Sequence, residues 1–147
     1  MLMKTNVVLL KITALSFVLL LLTFWTALYG FRLASGVEAV FFMLLTWYCC
    51  RRYSSADLSC TEIVVAVVVG RFLLDFANRI VNPVDTIVSL PVSVACLLGI
   101  FMGVLCHKRN VLWVWIVSLL LLVGFSFVVP DLWFDYWMST LKPLLKP

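Results

Sequence analysis

Charged residues are scarce in this chain. Only 12% of its 147 residues are Asp, Glu, Lys or Arg, whereas 65% are hydrophobic. A soluble domain has about a quarter charged residues and about half apolar ones. A globule of this size leaves about a third of its unfolded surface exposed, so it could not bury the excess. The composition therefore excludes an ordinary soluble domain and predicts an all-α integral membrane protein, with one polytopic domain over residues 1–147.

Motifs for binding phosphate, nucleic acid or cofactors are also missing. The chain has no glycine-rich phosphate loop, no RNA-binding signature and no alternation of basic and aromatic residues. Its net charge of +4 therefore does not indicate a nucleic-acid partner. The basic residues lie instead between apolar runs, where they set topology and contact lipid phosphates. We expect no cofactor and no nucleic-acid partner.

Long apolar runs dominate what the sequence does contain. A helix of about 20 apolar residues is long enough to cross a bilayer. We predict a bundle of five transmembrane helices, at about residues 7–31, 36–50, 61–81, 84–106 and 111–129. Pro130 is expected to end the fifth span, because proline lacks a backbone donor. Residues 131–142 are then expected to form a separate amphipathic helix that lies along the headgroups.

The basic residues between the spans predict an orientation. With five spans, the N-terminal lysines and the basic pairs at 51–52 and 108–109 fall on the same side of the membrane. Because short positive loops stay in the cytoplasm, the N-terminus is expected inside, the C-terminus outside and the protein in the cytoplasmic (inner) membrane. A four-span alternative, in which residues 36–50 only dip into the membrane, would put the two basic pairs on opposite sides.

The third predicted span carries a stripe of polar residues. Arg71, Asp75, Asn78 and Arg79 recur at helical spacing and share one face. Glu38 begins the second span, at the level expected for Arg79, and could pair with it. A charge at membrane depth costs about 2.5 kcal/mol or more, so these groups must face protein, water or each other.

Two interpretations of this stripe are open. It could form a site or path for a substrate, an ion or protons that opens to the outside. Alternatively, Arg71 and Asp75 could neutralise each other and act as a clamp that fixes helix packing or subunit contact. A path requires that the stripe faces water, whereas a clamp requires that it is sealed between helices.

The fourth predicted span carries small residues at every fourth position. Ala95, Gly99 and Gly103 form this row. Small side chains at this spacing let another helix approach closely. We therefore expect the row to be a close helix–helix contact.

Cysteine and histidine offer only weak candidates for metal binding. Cys49, Cys50, Cys60, Cys106 and His107 fall near the inner ends of predicted spans. Thiolates and an imidazole at one level could hold zinc or form a redox pair. However, the chain has no CxxC motif, and cysteine is also an ordinary small apolar residue of membrane helices. We expect no metal.

The absence of a catalytic constellation favours a non-enzymatic function. We expect a subunit of a membrane assembly that serves in sensing, scaffolding or anchoring, with lipids and other membrane subunits or copies of itself as partners. A channel or transporter with a path lined by the third span is the alternative. A third possibility is an intramembrane enzyme acting on a lipid-linked substrate, but Asp75 and Asp85 match no recognised carboxylate motif.

Overall fold

The computed structural model describes residues 2–25, 29–55, 58–81 and 90–141, and the side chains of all these except 2–4, 24, 31, 74, 78, 79 and 141. The described part of the chain is helical apart from short turns and one isolated bridge between Ser55 and Leu58. This confirms the all-α class. The helices are α1 (Leu2–Phe24), α2 (Phe31–Tyr53), α3 (Cys60–Val81), α4 (Leu90–Lys108) and α5 (Leu112–Leu141).

Four of these helices, α1, α2, α4 and α5, are long and apolar enough to cross a membrane. The prediction of five such spans is therefore met in part. α3 has 22 residues and is as long as its neighbours, but it contains Glu62, Arg71, Asp75 and Arg79. Two of these charged residues, Arg71 and Asp75, lie well inside the helix rather than at its ends.

The turn between α1 and α2 corrects two predicted boundaries. α1 ends at Phe24 rather than near residue 31, and α2 begins at Phe31 rather than at 36. Gly30 has a φ of 117°, a conformation that side chains disfavour, so the chain reverses there. The Ala34 N–H donates to the Gly30 carbonyl at 3.1 Å and closes the first turn of α2. α2 is thus a full 23 residues long.

α4 begins at Leu90, and Pro91 lies in its first turn. Proline is tolerated there because the first backbone N–H groups of a helix have no intrahelical partner. The predicted start of this span at residue 84 and the predicted break at Pro83 lie outside the described residues.

α5 contradicts the prediction of a break at Pro130. The helix runs without interruption from Leu112 to Leu141, with Pro130 inside it, so residues 131–141 are not a separate helix. Membrane-type helices tolerate proline where neighbouring groups compensate for the lost hydrogen bond. Asp131 pairs with Arg32 of α2 through both carboxylate oxygens, which holds the chain after the proline against the bundle.

α2 is the centre of the bundle and packs on each of the other four helices. It runs antiparallel to α3 and α5 and parallel to α4, on which it packs most extensively. α1 and α3 form a second parallel pair. The C-terminal ends of α2 and α4 lie together at what we call the basic end, defined by Arg51, Arg52, Lys108 and Arg109. We call the opposite end, where Arg32 meets Asp131, the Arg32 end.

Candidate functional site

Three helices meet at a cluster of charged side chains in the middle of the bundle. α3 contributes Arg71 and Asp75, which are one helical turn apart and so point to the same side. The Arg71 Nη1 donates to Asp75 Oδ2 at 3.1 Å. Arg71 lies eleven residues after the start of α3 at Cys60, or about 17 Å along the helix at 1.5 Å per residue. The cluster is therefore distant from both ends of α3.

Glu38 of α2 is the closest partner of Arg71. Its Oε2 accepts from Arg71 Nε at 2.9 Å and lies 2.7 Å from Arg71 Nη2. The side chain of Arg71 is only 3% exposed and that of Glu38 only 7%. The expected partner of Glu38 was Arg79, whereas the contact that the structure describes is with Arg71. The side chains of Asn78 and Arg79 lie outside the described residues.

α4 completes the cluster with two residues that the sequence did not indicate. The Ser93 hydroxyl donates to Asp75 Oδ2 at 3.0 Å. The thiol of Cys96, three residues further along the same face, adjoins the Arg71 guanidinium and is fully buried. The spacing of three residues between Ser93 and Cys96 indicates that they share a helix face. It does not indicate which residues of other helices they contact. Together Glu38, Arg71, Asp75 and Ser93 join α2, α3 and α4, and we call this set the ionic cluster.

The ionic cluster holds one positive and up to two negative charges. Arg71 and Glu38 are enclosed, whereas the side chain of Asp75 remains 28% exposed. A buried ion pair adds little net stability, but removal of one partner costs about 3–5 kcal/mol because the other charge is left unpaired. The arrangement can thus hold three helices in one register. Any chemistry beyond this structural role would depend on the exposed part of the Asp75 side chain.

Glycines bring the helices into close contact on both sides of the ionic cluster. A β-carbon at Gly99 would overlap the carbonyl of Ala39, the residue after Glu38. A β-carbon at Gly70, the residue before Arg71, would overlap the Thr13 carbonyl and lie 2.7 Å from Ser16 Cβ on α1. Each buried charge is therefore next in sequence to a close helix–helix contact, Glu38 to the one at Ala39 and Arg71 to the one at Gly70.

The predicted row of small residues faces α2. Ala95 is fully buried. A β-carbon at Gly103 would lie 2.5 Å from the Met43 carbonyl and 2.9 Å from Thr46 Cβ. Gly70 makes the corresponding contact between α1 and α3, where the Ser16 hydroxyl also donates to the Val67 carbonyl at 2.7 Å. The α1–α3 contact was not found from the sequence, because a single glycine in a valine-rich helix has no repeat to mark it.

The candidate metal ligands do not come together as one group in the described part of the chain. Cys50 and Cys60 adjoin each other at the basic end, and Cys60 Sγ lies 3.5 Å from Ser54 Oγ. Cys106 contacts Ser118 of α5 instead, with 3.7 Å between sulfur and oxygen. Among the described residues, no three His, Cys, Asp or Glu side chains are close enough together to hold a metal ion. Cys49 and His107 therefore join no such group in that part of the chain.

The chain was compared with known proteins at three levels. No known protein family, curated protein or solved structure matches it. Its function must therefore be inferred from the ionic cluster and from the surfaces of the five helices themselves.

Proposed function

We propose that this chain is an integral membrane protein in which all five helices cross the bilayer. α3 is the one of these five helices that is not among the four candidate spans, so its place in the bilayer requires a separate argument. At 1.5 Å per residue its 22 residues extend about 33 Å, which matches a hydrocarbon core of about 30 Å. It packs beside α2 and antiparallel to it. Because α2 is apolar enough to cross a membrane, α3 would lie in the same hydrocarbon layer. The enclosure of Arg71 in the bundle removes the main energetic obstacle to insertion.

The proposed orientation places the basic end in the cytoplasm. The four basic residues of this end lie in the last turns of α2 and α4 or directly after them, and positive residues at such short connections stay inside. The C-terminal part of α5 would then be outside. A cysteine in place of Ser139, which is exposed on α5, should react with an impermeant thiol reagent in intact cells. Reaction only after the membrane is opened would overturn this orientation.

We further propose that the protein is a non-catalytic subunit of a membrane assembly, and that the ionic cluster is its internal clamp. The observation that carries this proposal is the enclosure of Arg71. Its guanidinium contacts Glu38 and Asp75 of the same chain and is only 3% exposed. A group that serves a transported substrate must be reachable from water, whereas a clamp is expected to be sealed.

The exposed part of Asp75 favours a second candidate function, transport. Its side chain keeps 28% of its exposure, and its Oδ2 accepts from both Arg71 and Ser93. A carboxylate at this depth could receive a proton or a cation from a water-filled opening. This candidate requires that water reaches Asp75, which the assembly proposal does not.

A crosslinking survey in native membranes tests the assembly proposal. A photoreactive residue would replace one exposed side chain on each of three helices, namely Leu10, Phe101 and Leu120, which are 70%, 57% and 67% exposed. The buried Phe42 is the matched control. We expect a discrete protein adduct from at least one exposed position and none from Phe42. A homo-oligomer would give an adduct of twice the protein's own mass.

A flux assay separates the two candidates. Purified protein would be reconstituted into liposomes, and proton and cation flux would be compared between the natural chain and Asp75→Asn. The assembly proposal predicts no flux from either. Flux that Asp75→Asn abolishes, together with only lipid adducts in the crosslinking survey, would overturn the assembly proposal and establish transport.

A further inference from the structure

Two adjoining grooves lie between α2 and α5 at the Arg32 end. The first has a volume of about 410 Å³ and is lined by Arg32 and residues further along both helices. The second has a volume of about 430 Å³ and lies on the other side of Arg32, beside Pro130, Asp131 and Asp135. Each volume is within the range of about 300–1,000 Å³ that is typical of small-molecule sites. Arg32 lines both grooves, so they adjoin at its side chain.

The first groove is apolar along its length. Besides Arg32 and Ser126, its lining residues are Leu33, Gly36, Val37, Val40, Phe41, Val123 and Phe127. The Ser126 hydroxyl donates to the Leu122 carbonyl at 2.7 Å, so its hydrogen is already engaged within α5. Gly36 lies opposite Ser126, where a β-carbon would be in van der Waals contact at 3.4 Å. A groove of this kind fits a hydrocarbon chain.

The second groove contains charges of both signs. Arg32 and Asp131 pair through two hydrogen-bonding contacts. A guanidinium has five N–H donors, so about three remain for another acceptor. The side chain of Arg32 is still 56% exposed in this pair. Asp135 lies one turn beyond Asp131 and is exposed, and no residue among those that line this groove balances its charge.

We propose that the two grooves together bind a phospholipid whose headgroup carries a primary amine. This inference rests on the proposed membrane location, but it does not depend on the assembly or transport functions. One acyl chain lies in the apolar groove, the phosphate accepts from the remaining N–H groups of Arg32, and the ammonium donates to Asp135. Along the two grooves the order is apolar surface, Arg32 and then the Asp135 carboxylate. This is also the order of acyl chain, phosphate and ammonium in such a lipid.

The charge pattern selects among headgroup classes. Because Asp131 neutralises Arg32, the carboxylate of Asp135 gives the second groove a net charge of −1. A headgroup with a phosphate and no amine would bring a second negative charge beside Asp135. A quaternary ammonium has the right charge but no N–H to donate to the carboxylate. A primary ammonium supplies both the charge and up to three donors, as lysine does.

A groove that reaches the basic end provides an internal comparison. It lies between α3 and α4, has a volume of about 330 Å³ and includes Lys108 of the basic end. Its one formal charge is positive, so any lipid held there should be anionic. A charge-removing substitution at Lys108 is therefore a matched control for one at Asp135.

Native mass spectrometry of the full-length protein in detergent tests the proposal. The protein would be titrated with phosphatidylethanolamine, phosphatidylcholine and phosphatidylglycerol with identical acyl chains. A charged hydrogen bond corresponds to about a tenfold preference for the ethanolamine lipid over the choline lipid. Asp135→Asn should remove most of this preference, because binding of the ethanolamine lipid should fall more than binding of the choline lipid. Lys108→Gln should leave the preference intact.

A second variant tests the apolar groove. Gly36→Leu should lower the binding of phosphatidylethanolamine severalfold by filling the groove. Asp135 is exposed, so Asp135→Asn keeps the headgroup test valid even if Gly36→Leu does not fold. Equal binding of the three lipids, or a preference that Asp135→Asn does not change, would overturn the proposal. Neither result would affect the crosslinking survey, whereas release of the protein from membranes by alkaline carbonate would overturn the membrane location and this site together.

Discussion

In the described part of the chain, two arginines make ion pairs between helices, and their surroundings differ. Arg71 lies in the middle of α3 and is 3% exposed, with Glu38 and Asp75 around it. Arg32 lies at the start of α2 and is 56% exposed, with Asp131 as its partner. The chemistry of the two pairs is the same, but a buried charge that loses its partner is costly, whereas an exposed one is solvated. The difference teaches that burial, not the number of ion pairs, determines what each pair does.

The largest expected effect comes from the removal of the buried arginine. Arg71→Gln leaves two carboxylates facing each other in the bundle. We expect the free energy of unfolding to fall by about 3–5 kcal/mol. The measurement is a denaturant titration in detergent, followed by circular dichroism. A loss below about 1 kcal/mol would show that the pair is solvated and would remove the contrast with Arg32.

The double variant Glu38→Gln with Arg71→Gln belongs to the same test. It removes both members of the closest pair, so it should be more stable than Arg71→Gln alone. Simple addition of the two single effects would contradict a direct coupling between Glu38 and Arg71.

The next largest effect should come from the glycine contact beside Glu38. Gly99→Ala places a β-carbon against the Ala39 carbonyl, which forces α2 and α4 apart. We expect a loss of about 1–3 kcal/mol in the free energy of unfolding. Gly124→Ala is the matched control, because nothing lies within 4 Å of its β-carbon position. Equal stability of the two variants would show that α2 and α4 do not approach closely.

The partly exposed carboxylate should give an intermediate effect. Asp75→Asn leaves Arg71 paired with Glu38 and retains an acceptor for Ser93, so the expected loss is about 1–2 kcal/mol. The same unfolding titration measures it. A loss as large as that of Arg71→Gln would mean that Asp75, rather than Glu38, is the principal partner of Arg71.

The smallest effect should come from the exposed arginine. Arg32→Gln is chemically identical to Arg71→Gln but should change the free energy of unfolding by only about 0.2–1 kcal/mol. The loss should also shrink as salt is raised from 0.01 M to 1 M, because salt screens exposed charges. The effect of Arg71→Gln should not change with salt, and a parallel salt dependence of both would argue against enclosure of Arg71.

The sequence was sufficient to predict a contact when both residues belong to one helix. Helical periodicity accounts for the contact of Arg71 with Asp75, since both belong to α3. The partner of Glu38 depended on where α2 starts. A start at residue 36 puts Glu38 in the first turn, at the level of Arg79. The observed start at Phe31 is five residues earlier, so Glu38 lies about 7.5 Å deeper in the helix than expected, level with Arg71.

Other features depended on more than one helix and could not be read from the sequence. Pro130 is a break signal by itself, and the ion pair that holds the next residue involves Arg32, 99 positions earlier in the chain. Ser93 and Cys96 acquire their roles only because α4 packs beside α3. Gly70 becomes a contact point only when Thr13 and Ser16 of α1 are opposite it.

The parallel pairing of α2 with α4 has a consequence for the order of events during synthesis. The ribosome adds about 5–20 residues per second. Arg71 follows Glu38 by 33 residues, so Glu38 waits about 2–7 s for its counter-charge. Gly99 follows Ala39 after a still longer interval, because all of α3 is made between them. During this interval α2 has neither its ionic partner nor its closest packing partner, and α1 is the helix already present to shield it. α2, the centre of the finished bundle, is therefore the helix most in need of protection while the chain is being made.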